Sequence, residues 1–239
     1  MDEHVIRTYQ RAEEVFVAGH GATLVDRDGK EYVDFLAGIA VSALGHAYPP
    51  LVEALRDQVG RVVHLSNLFR HPYTEQVAAR LAELTGLEAS FFTNSGTEAN
   101  EAALKLARKW QKDQGRPERV SFVALHGAFH GRSMGSLSCT HTEKYRKPFE
   151  PLLPVTFVPP DDIDALAAAL RTTRPAAFLC EPVQGEGGIR ELSSAFLVAA
   201  RELCDETQTL YVHDEIQCGT GRTGRFLASQ WSAVQPAVV

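Results

Sequence analysis

The sequence predicts an α/β protein: a three-layer α/β/α sandwich with a mostly parallel sheet, preceded by a small N-terminal segment. From residue 50 onward, short apolar stretches alternate with helical patterns, which is typical of a parallel sheet covered on both faces. The N-terminal segment carries a hairpin pattern, since Asp28 and Gly29 stand between two strand-like runs. The change of pattern after Tyr48 predicts domains at residues 1–48 and 49–239.

Apolar residues at helical spacing and short apolar runs define the individual elements. Helices are predicted at residues 51–62, 77–84, 98–112, 163–170 and 195–203. Strands are predicted in a run ending at Thr93 and at residues 120–125, 155–158, 176–180 and 209–213. These connections are right-handed, so the carboxyl ends of the strands share one edge of the sheet.

The longest predicted helix begins directly after Asn94–Thr97, a stretch that includes Gly96, and stops before Gly115. Its apolar face is predicted from helical spacing to comprise Ala99, Ala103, Leu106 and Trp110. The first backbone N–H groups of a helix have no partner within it, and a glycine lets a ligand approach closely. Its start therefore suits a phosphate, although an ordinary polar N-cap explains the same residues.

Composition excludes several classes of protein. The chain has 239 residues, of which 44% are hydrophobic and 23% charged, as in soluble globular proteins. Its net charge of -6 argues against a nucleic-acid partner. The absence of a signal peptide and of a long apolar run predicts a protein without a membrane association. Its cysteines form no CxxC pair, so we expect reduced thiols, no metal site and a cytoplasmic location.

Polar or glycine-rich loops follow several of the predicted strands at the edge where open α/β sheets bind ligands. The loops are Asn94–Thr97, His126–Arg132, Glu181–Gly188 and Asp214–Gln217. Together they offer a phosphate cradle, an aromatic face, an arginine and carboxylates. We refer to these segments below as the rim loops.

A phosphorylated aromatic cation needs this set of groups. The helix start takes the phosphate, Phe129 stacks on the ring, and Asp214 pairs with a protonated ring nitrogen. Gln217 can donate a hydrogen bond to a ring oxygen, and Arg132 can hold a substrate carboxylate in a bidentate grip. Pyridoxal 5'-phosphate has these features, and a carboxylate beside its nitrogen keeps the ring electron-withdrawing.

Other interpretations of the same residues remain open. Phe129 suits a core position, and Asp214 with Glu215 resembles the metal-binding strand of a nucleotidase. Residues 219–224 fit GxGxxG, the dinucleotide fingerprint, but they do not directly follow a strand, and no GxxxxGK[ST] motif is present.

The motifs in combination resemble the class III aminotransferases, pyridoxal-phosphate enzymes of fold type I. The resemblance rests on the stretches at residues 94–108, 129–132, 181–188, 214–217 and 221–224. Residues 8–11, 38–41 and 44–46 look most like the acetylornithine aminotransferase branch. The resemblance runs from about Thr8 to Val239.

The resemblance implies a role for each matching residue. Ser95, Gly96 and Thr97 would hold the cofactor phosphate, Phe129 the ring, Asp214 its nitrogen and Gln217 its phenolic oxygen. Substrate binding would fall to Arg132, Glu186 and Tyr9. The implied reaction moves an amino group from N-acetylornithine to 2-oxoglutarate in a homodimer; ornithine, succinylornithine, 4-aminobutyrate and carrier-linked lysine-pathway substrates are alternative donors.

The family's Schiff-base lysine lies in a motif expected after Val239, so no catalytic residue is assigned. None of the lysines present follows a strand at the ligand edge of the sheet. They are Lys30, Lys105, Lys109, Lys112, Lys144 and Lys147. We therefore expect the N-terminal portion of an aminotransferase, without the C-terminal domain and with poor turnover by itself. The alternatives are a catalytically incomplete fragment of this fold and a nucleotide-binding α/β protein.

Overall fold

A computed structural model describes residues 4–239 of the protein. They form two compact units, one reaching His71 and one from Pro72 to Val239. The domain boundary between residues 48 and 49 stays a prediction. Among residues 4–239, no helix has the length and apolar character that crossing a membrane requires.

The first unit contains β1 (Phe16–His20), β2 (Thr23–Asp26), β3 (Glu31–Val33), the short α1 (Ala37–Ala40) and α2 (Pro49–Val59). Its strands form an antiparallel sheet in the order β1-β2-β3. The Asp26 carboxylate accepts the backbone N–H groups of Asp28 and Lys30 at 3.0 and 2.9 Å. These bonds fix the turn between β2 and β3, and the predicted hairpin is confirmed.

The second unit is built on a parallel sheet. Its helices are α3 (Pro72–Thr85), α4 (Gly96–Asp113), α5 (Met134–Cys139), α6 (Glu143–Arg146), α7 (Ile163–Thr173) and α8 (Ser194–Thr207). Its strands are β4 (Phe122–Leu125), β5 (Val155–Val158), β6 (Ala177–Cys180), β7 (Val183–Gln184), β8 (Arg190–Glu191) and β9 (Leu210–His213). The parallel sheet has the order β5-β4-β6-β9. The predictions of strands at residues 120–125, 155–158, 176–180 and 209–213 are confirmed.

Helices cover both faces of this sheet, as the sequence predicts. On one face, Phe178 and Tyr211 pack with residues of α7 and α8, including Leu166 and Phe196. On the opposite face, alternate strand residues pack with the buried side of α4, including Leu104. The strands are buried on both sides, which explains why they consist of continuous apolar runs. The three-layer α/β/α architecture is confirmed.

The predicted strand ending at Thr93 is wrong. Residues 91–93 form no strand, and the Phe91 side chain is 79% exposed. An apolar run becomes a strand only where a neighbouring strand accepts its hydrogen bonds. No strand in the described part of the chain lies beside this one.

The buried face of α4 also differs from the prediction. Leu106 is 52% exposed, whereas Asn100 and Gln111 are buried with Ala103, Leu104 and Ala107. The amide of Gln111 donates to the carbonyl oxygens of Ala176 and Gln208 at 3.2 and 2.8 Å. Because these polar side chains are hydrogen-bonded, they can be buried without a large cost in free energy. A pattern based on apolar residues alone misses such a face.

Candidate functional site

Asp214, directly after β9, contacts both the rim loop that follows β4 and helix α4. Oδ2 of Asp214 lies 2.8 Å from Nδ1 of His130 and 2.8 Å from Nδ2 of Asn100. The same Asn100 amide donates to the His130 carbonyl oxygen at 2.8 Å. All three residues are buried. Helix α4, the loop after β4 and the end of β9 are therefore joined at one carboxylate.

Glycines let the rim loops approach one another more closely than any side chain would allow. A Cβ on Gly96 would lie 2.6 Å from Cδ1 of Ile216. A Cβ on Gly131 would overlap Oγ1 of Thr97, and one on Gly185 would overlap Oε1 of Gln217. These contacts connect every rim loop to at least one other. The predicted convergence of the loops is present in the structure, whereas the roles of their side chains stay predictions.

The charges at this junction are buried and coupled. Burial lowers the pKa of His130, but the hydrogen bond and charge of Asp214 and the charge of Glu181 outweigh it, so the pKa is raised. Burial raises the pKa of Glu181 to about 7. The junction thus places the Asp214 carboxylate against His130, whose pKa is raised, and near Glu181, whose pKa is about 7.

Helix α4 begins at the rim with unsatisfied backbone donors. Ser95 is the N-cap, and its Oγ accepts the Glu98 N–H at 3.4 Å. The N–H groups of Gly96 and Thr97, in the first turn, have no acceptor within the helix. The Thr97 hydroxyl lies 2.7 Å from Ser133 Oγ and 2.6 Å from Ser136 Oγ. The Thr97 hydroxyl is therefore engaged within the protein, and the backbone N–H groups of the first turn are the donors that this helix start offers to an anion.

The predicted substrate residues have different positions. The Arg132 guanidinium lies 5.6 Å from the ring centre of Phe129 and 5.4 Å from that of Tyr145. Phe129 is half-buried, and Glu186 is exposed in its rim loop. Tyr9 lies in the other compact unit, so its contact with a substrate stays a prediction.

Glu215 has a structural role that the sequence did not indicate. Its buried carboxylate accepts the N–H groups of Ala228 and Ser229 at 2.5 and 2.9 Å. In residues 4–239, no group of three or more metal-ligating side chains is arranged to hold an ion. These observations favour a capping role for Glu215 over the metal-binding interpretation.

Sequence reasoning assigned no role to Asn100, His130 or Glu181, although all three lie in its motifs. Asn100 is one turn into a helix, where a polar residue normally faces solvent. Its contact with Asp214 joins residues 114 positions apart. Their positions in the sequence could have indicated a role, because Glu181 directly follows a buried strand and His130 lies in the rim loop that follows another.

The residues present fit pyridoxal 5'-phosphate. Asp214 supplies a buried carboxylate for a cationic ring nitrogen, and the first turn of α4 supplies donors for a phosphate. Phe129 and Gln217 belong to the neighbouring rim loops, with Gln217 against Gly185. The donor set matches an anionic group at one end and a cationic aromatic ring at the other.

A family model and a curated relative both match this chain to aminotransferases. The model of the family "Aminotransferase class-III" matches residues 7–239. The chain is 50% identical over 236 residues to the acetylornithine aminotransferase of Rhodobacter capsulatus, covering 98% of this chain and 60% of that protein.

Two solved structures share the fold. N-acetylornithine aminotransferase from Stenotrophomonas maltophilia K279a has a TM-score of 0.82 and 38% identity, covering 96% of this chain and 58% of that one. Ornithine aminotransferase from Toxoplasma gondii, described with partial occupancy of PLP at its active site, has a TM-score of 0.91 and 34% identity. That match covers 98% of this chain and 56% of the other. The chain thus spans somewhat more than half the length of these proteins.

Proposed function

Because the chain belongs to the class III aminotransferases, we propose that it binds pyridoxal 5'-phosphate at the rim loops. The observation that carries this proposal is the buried Asp214 carboxylate, fixed by Asn100 and His130. Asp214 would hold the protonated ring nitrogen, and the backbone N–H groups of Gly96 and Thr97, with Ser95, would hold the phosphate. Phe129 would pack on the ring, and Gln217 would donate to its phenolic oxygen.

The bound cofactor supplies an electron-withdrawing ring that stabilises negative charge at a substrate carbon that loses its proton. Asp214 maintains that property because its carboxylate favours the protonated form of the ring nitrogen. Asn100 and His130 keep the carboxylate oriented, since both bind the same oxygen, Oδ2. Burial of this group excludes water and strengthens the ion pair.

The proposed reaction moves an amino group from N-acetylornithine to 2-oxoglutarate, in arginine biosynthesis. The name of the Rhodobacter relative supports this donor. Arg132 would bind the substrate α-carboxylate, since a guanidinium suits bidentate pairing with a carboxylate. Glu186, exposed near this site's rim, would help to distinguish donor from acceptor, and Tyr9 would contact the substrate. Ornithine is the second candidate donor, supported by the similarity to the Toxoplasma protein.

We further propose a cytoplasmic homodimer. Large apolar side chains such as Phe35, Leu68 and Phe91 are 95%, 89% and 79% exposed, and a partner subunit would cover such residues. The buried free cysteines are compatible with a reducing compartment.

Equilibrium dialysis of the chain with pyridoxal 5'-phosphate tests cofactor binding. Asp214→Asn should weaken binding by about 10- to 100-fold, because a hydrogen bond to a charged group contributes about 1.5–3 kcal/mol. Asp205→Asn, which removes an exposed carboxylate on α8, is the matched control and should bind like the wild type. Equal affinity in the wild type and the Asp214 variant would contradict the proposed site.

The donor is tested in an amino-transfer assay of the protein expressed from its complete reading frame. N-acetylornithine, ornithine, succinylornithine and 4-aminobutyrate are compared by kcat/KM with 2-oxoglutarate as acceptor. We expect the highest value with N-acetylornithine. A higher value with any of the others would replace it as the donor, and no transfer with any donor would refute the proposed reaction.

A further inference from the structure

Glu181 connects two rim loops through its side chain. It directly follows β6, and only 5% of its surface is exposed. Oε1 accepts the backbone N–H of Phe129 at 2.9 Å. The backbone N–H of Gly185, in the same rim loop, makes a smaller electrostatic contribution that lowers the pKa of this carboxylate. Glu181 therefore contacts the backbone of Phe129, the residue predicted to stack on the cofactor ring. It also belongs to the same rim loop as Gly185, which packs against Gln217.

The carboxylate also lies within the electrostatic reach of the junction at Asp214. His130 and Asp214 act on it from the loop after β4 and the end of β9, and its charge acts in turn on Cys180 and Cys218. His130 Nε2 is buried and has no hydrogen-bond partner in residues 4–239. A proton on His130 is therefore stabilised by the surrounding negative charges and not by a second hydrogen bond.

We propose that Glu181 is a positioning residue of this site, which holds the Phe129 backbone in place and supplies a negative charge that acts on the His130–Asp214 pair. This inference rests on the proposed function for its catalytic meaning. Ionised Glu181 favours a positive charge near Asp214, either on His130 or on a ring nitrogen opposite the carboxylate. Its protonated form keeps the hydrogen bond to Phe129 but withdraws that support. Glu181 thus makes two contributions to the site: a geometric one, through its hydrogen bond to Phe129, and an electrostatic one, through its charge.

The two contributions can be measured in the chain without any cofactor. Glu181→Gln keeps an oxygen that accepts the Phe129 N–H and removes the charge, whereas Glu181→Ala removes both. We expect the NMR titration of His130 to move to lower pH in Glu181→Gln. The Phe129 amide should stay protected from hydrogen exchange in Glu181→Gln and exchange at least tenfold faster in Glu181→Ala. Glu202→Gln, the same chemical change at an exposed site on α8, is the control.

Cofactor affinity supplies a second readout. The pKa of Glu181 is raised to about 7 by burial, so its charge is present at pH 8 and largely absent at pH 6. Glu181→Gln should therefore weaken binding of pyridoxal 5'-phosphate by about tenfold at pH 8 and much less at pH 6. A tenfold change in affinity is what we expect if the charge of Glu181 shifts the pKa of the bound ring nitrogen by about one unit. A purely structural defect would weaken binding equally at both values.

The outcomes separate this inference from the proposed function. An unchanged His130 titration in Glu181→Gln, relative to Glu202→Gln, would overturn the charge contribution, and an unchanged Phe129 exchange rate in Glu181→Ala would overturn the geometric one. If Glu181→Ala does not fold, a Phe129 amide that exchanges as fast in Glu181→Gln as in the denatured chain counts against the geometric contribution. Wild-type chain that binds no pyridoxal 5'-phosphate would refute the proposed function, while the titration of His130 would still decide the role of Glu181.

Discussion

The carboxylate of Asp214 lies 2.8 Å from Nδ1 of His130, and both side chains are buried beneath the rim of the parallel sheet. The same oxygen accepts the Asn100 amide, and the other oxygen, Oδ1, accepts the Ile216 N–H at 3.1 Å. Both oxygens are thus held by protein donors. The carboxylate is therefore set in one orientation before any ligand arrives, which lowers the entropy lost on binding.

Replacing Asp214 with alanine should lower the free energy of unfolding by about 3 kcal/mol. Removing one partner of a buried ion pair leaves an uncompensated charge or an unsatisfied donor, which costs about 3–5 kcal/mol. Urea unfolding followed by circular dichroism measures the change. Asp205→Ala, which breaks the exposed ion pair with Arg201, should cost about 1 kcal/mol or less. A loss for Asp214→Ala no larger than that of the control would show that the pair does not stabilise the fold.

The sequence could predict the sheet and the meeting of its loops because both depend on local patterns. Phe178 lies in a continuous apolar run that only a strand covered on both faces can satisfy. Asp214 and Glu181 directly follow such runs, so the shared edge of a parallel sheet brings their loops together.

What the sequence could not provide is pairing over long distances. Phe91 and Phe92 look like a strand, but strand formation requires a neighbour, and the local pattern does not contain one. Asn100 looks like a solvent-facing helix residue until the fold brings Asp214 to its amide. Glu215 looks like a metal ligand in the local sequence. Its capping role is not visible there, because the backbone N–H groups it accepts lie 13 and 14 residues further along the chain.

Gly219→Ala should lower the free energy of unfolding by about 2 kcal/mol. A Cβ at this position would lie 2.7 Å from the backbone oxygen of Glu215, which cannot move as a flexible side chain can. Overpacking of this kind costs about 1–3 kcal/mol. Urea unfolding measures the loss. Gly60→Ala is the control, because its nearest atom would be 3.5 Å away, and we expect a change near zero. Equal stabilities for the two variants would argue that the turn after Asp214 adapts freely.

Acid should weaken the fold through His213. Burial, with a smaller contribution from the charge of Arg201, lowers the pKa of His213 to about 3, and both ring nitrogens are buried without partners in the described residues. The ordinary pKa is about 6.5 in the unfolded chain, so the unfolded state binds more protons below that value. The stabilisation is therefore complete above pH 6.5 and is lost as pH falls towards 3, at up to about 1.4 kcal/mol per pH unit.

His213→Phe should remove this part of the pH dependence. The substitution keeps an aromatic ring edge-on to Tyr211, whose ring centre lies 4.5 Å from that of His213. Urea unfolding at several values between pH 4.5 and 7.5 should give a shallower slope for the variant than for the wild type. His64→Phe, at an exposed histidine, should retain the wild-type slope. Parallel slopes for His213→Phe and the wild type would show that His213 is not the group responsible.

Thr97→Val should destabilise the start of α4 more than it weakens cofactor binding. The Thr97 hydroxyl contacts the hydroxyls of Ser133 and Ser136 and accepts the Ser133 N–H at 3.2 Å, so these partners lose a hydrogen bond in the variant. We expect a loss of about 1–2 kcal/mol in urea unfolding. Thr172→Val, an equal change at an exposed position of α7, should have little effect. The phosphate donors we propose are the backbone N–H groups, which valine retains, so dialysis should show less than a tenfold change in pyridoxal 5'-phosphate affinity. A larger loss of affinity with unchanged stability would instead assign the Thr97 hydroxyl to the phosphate.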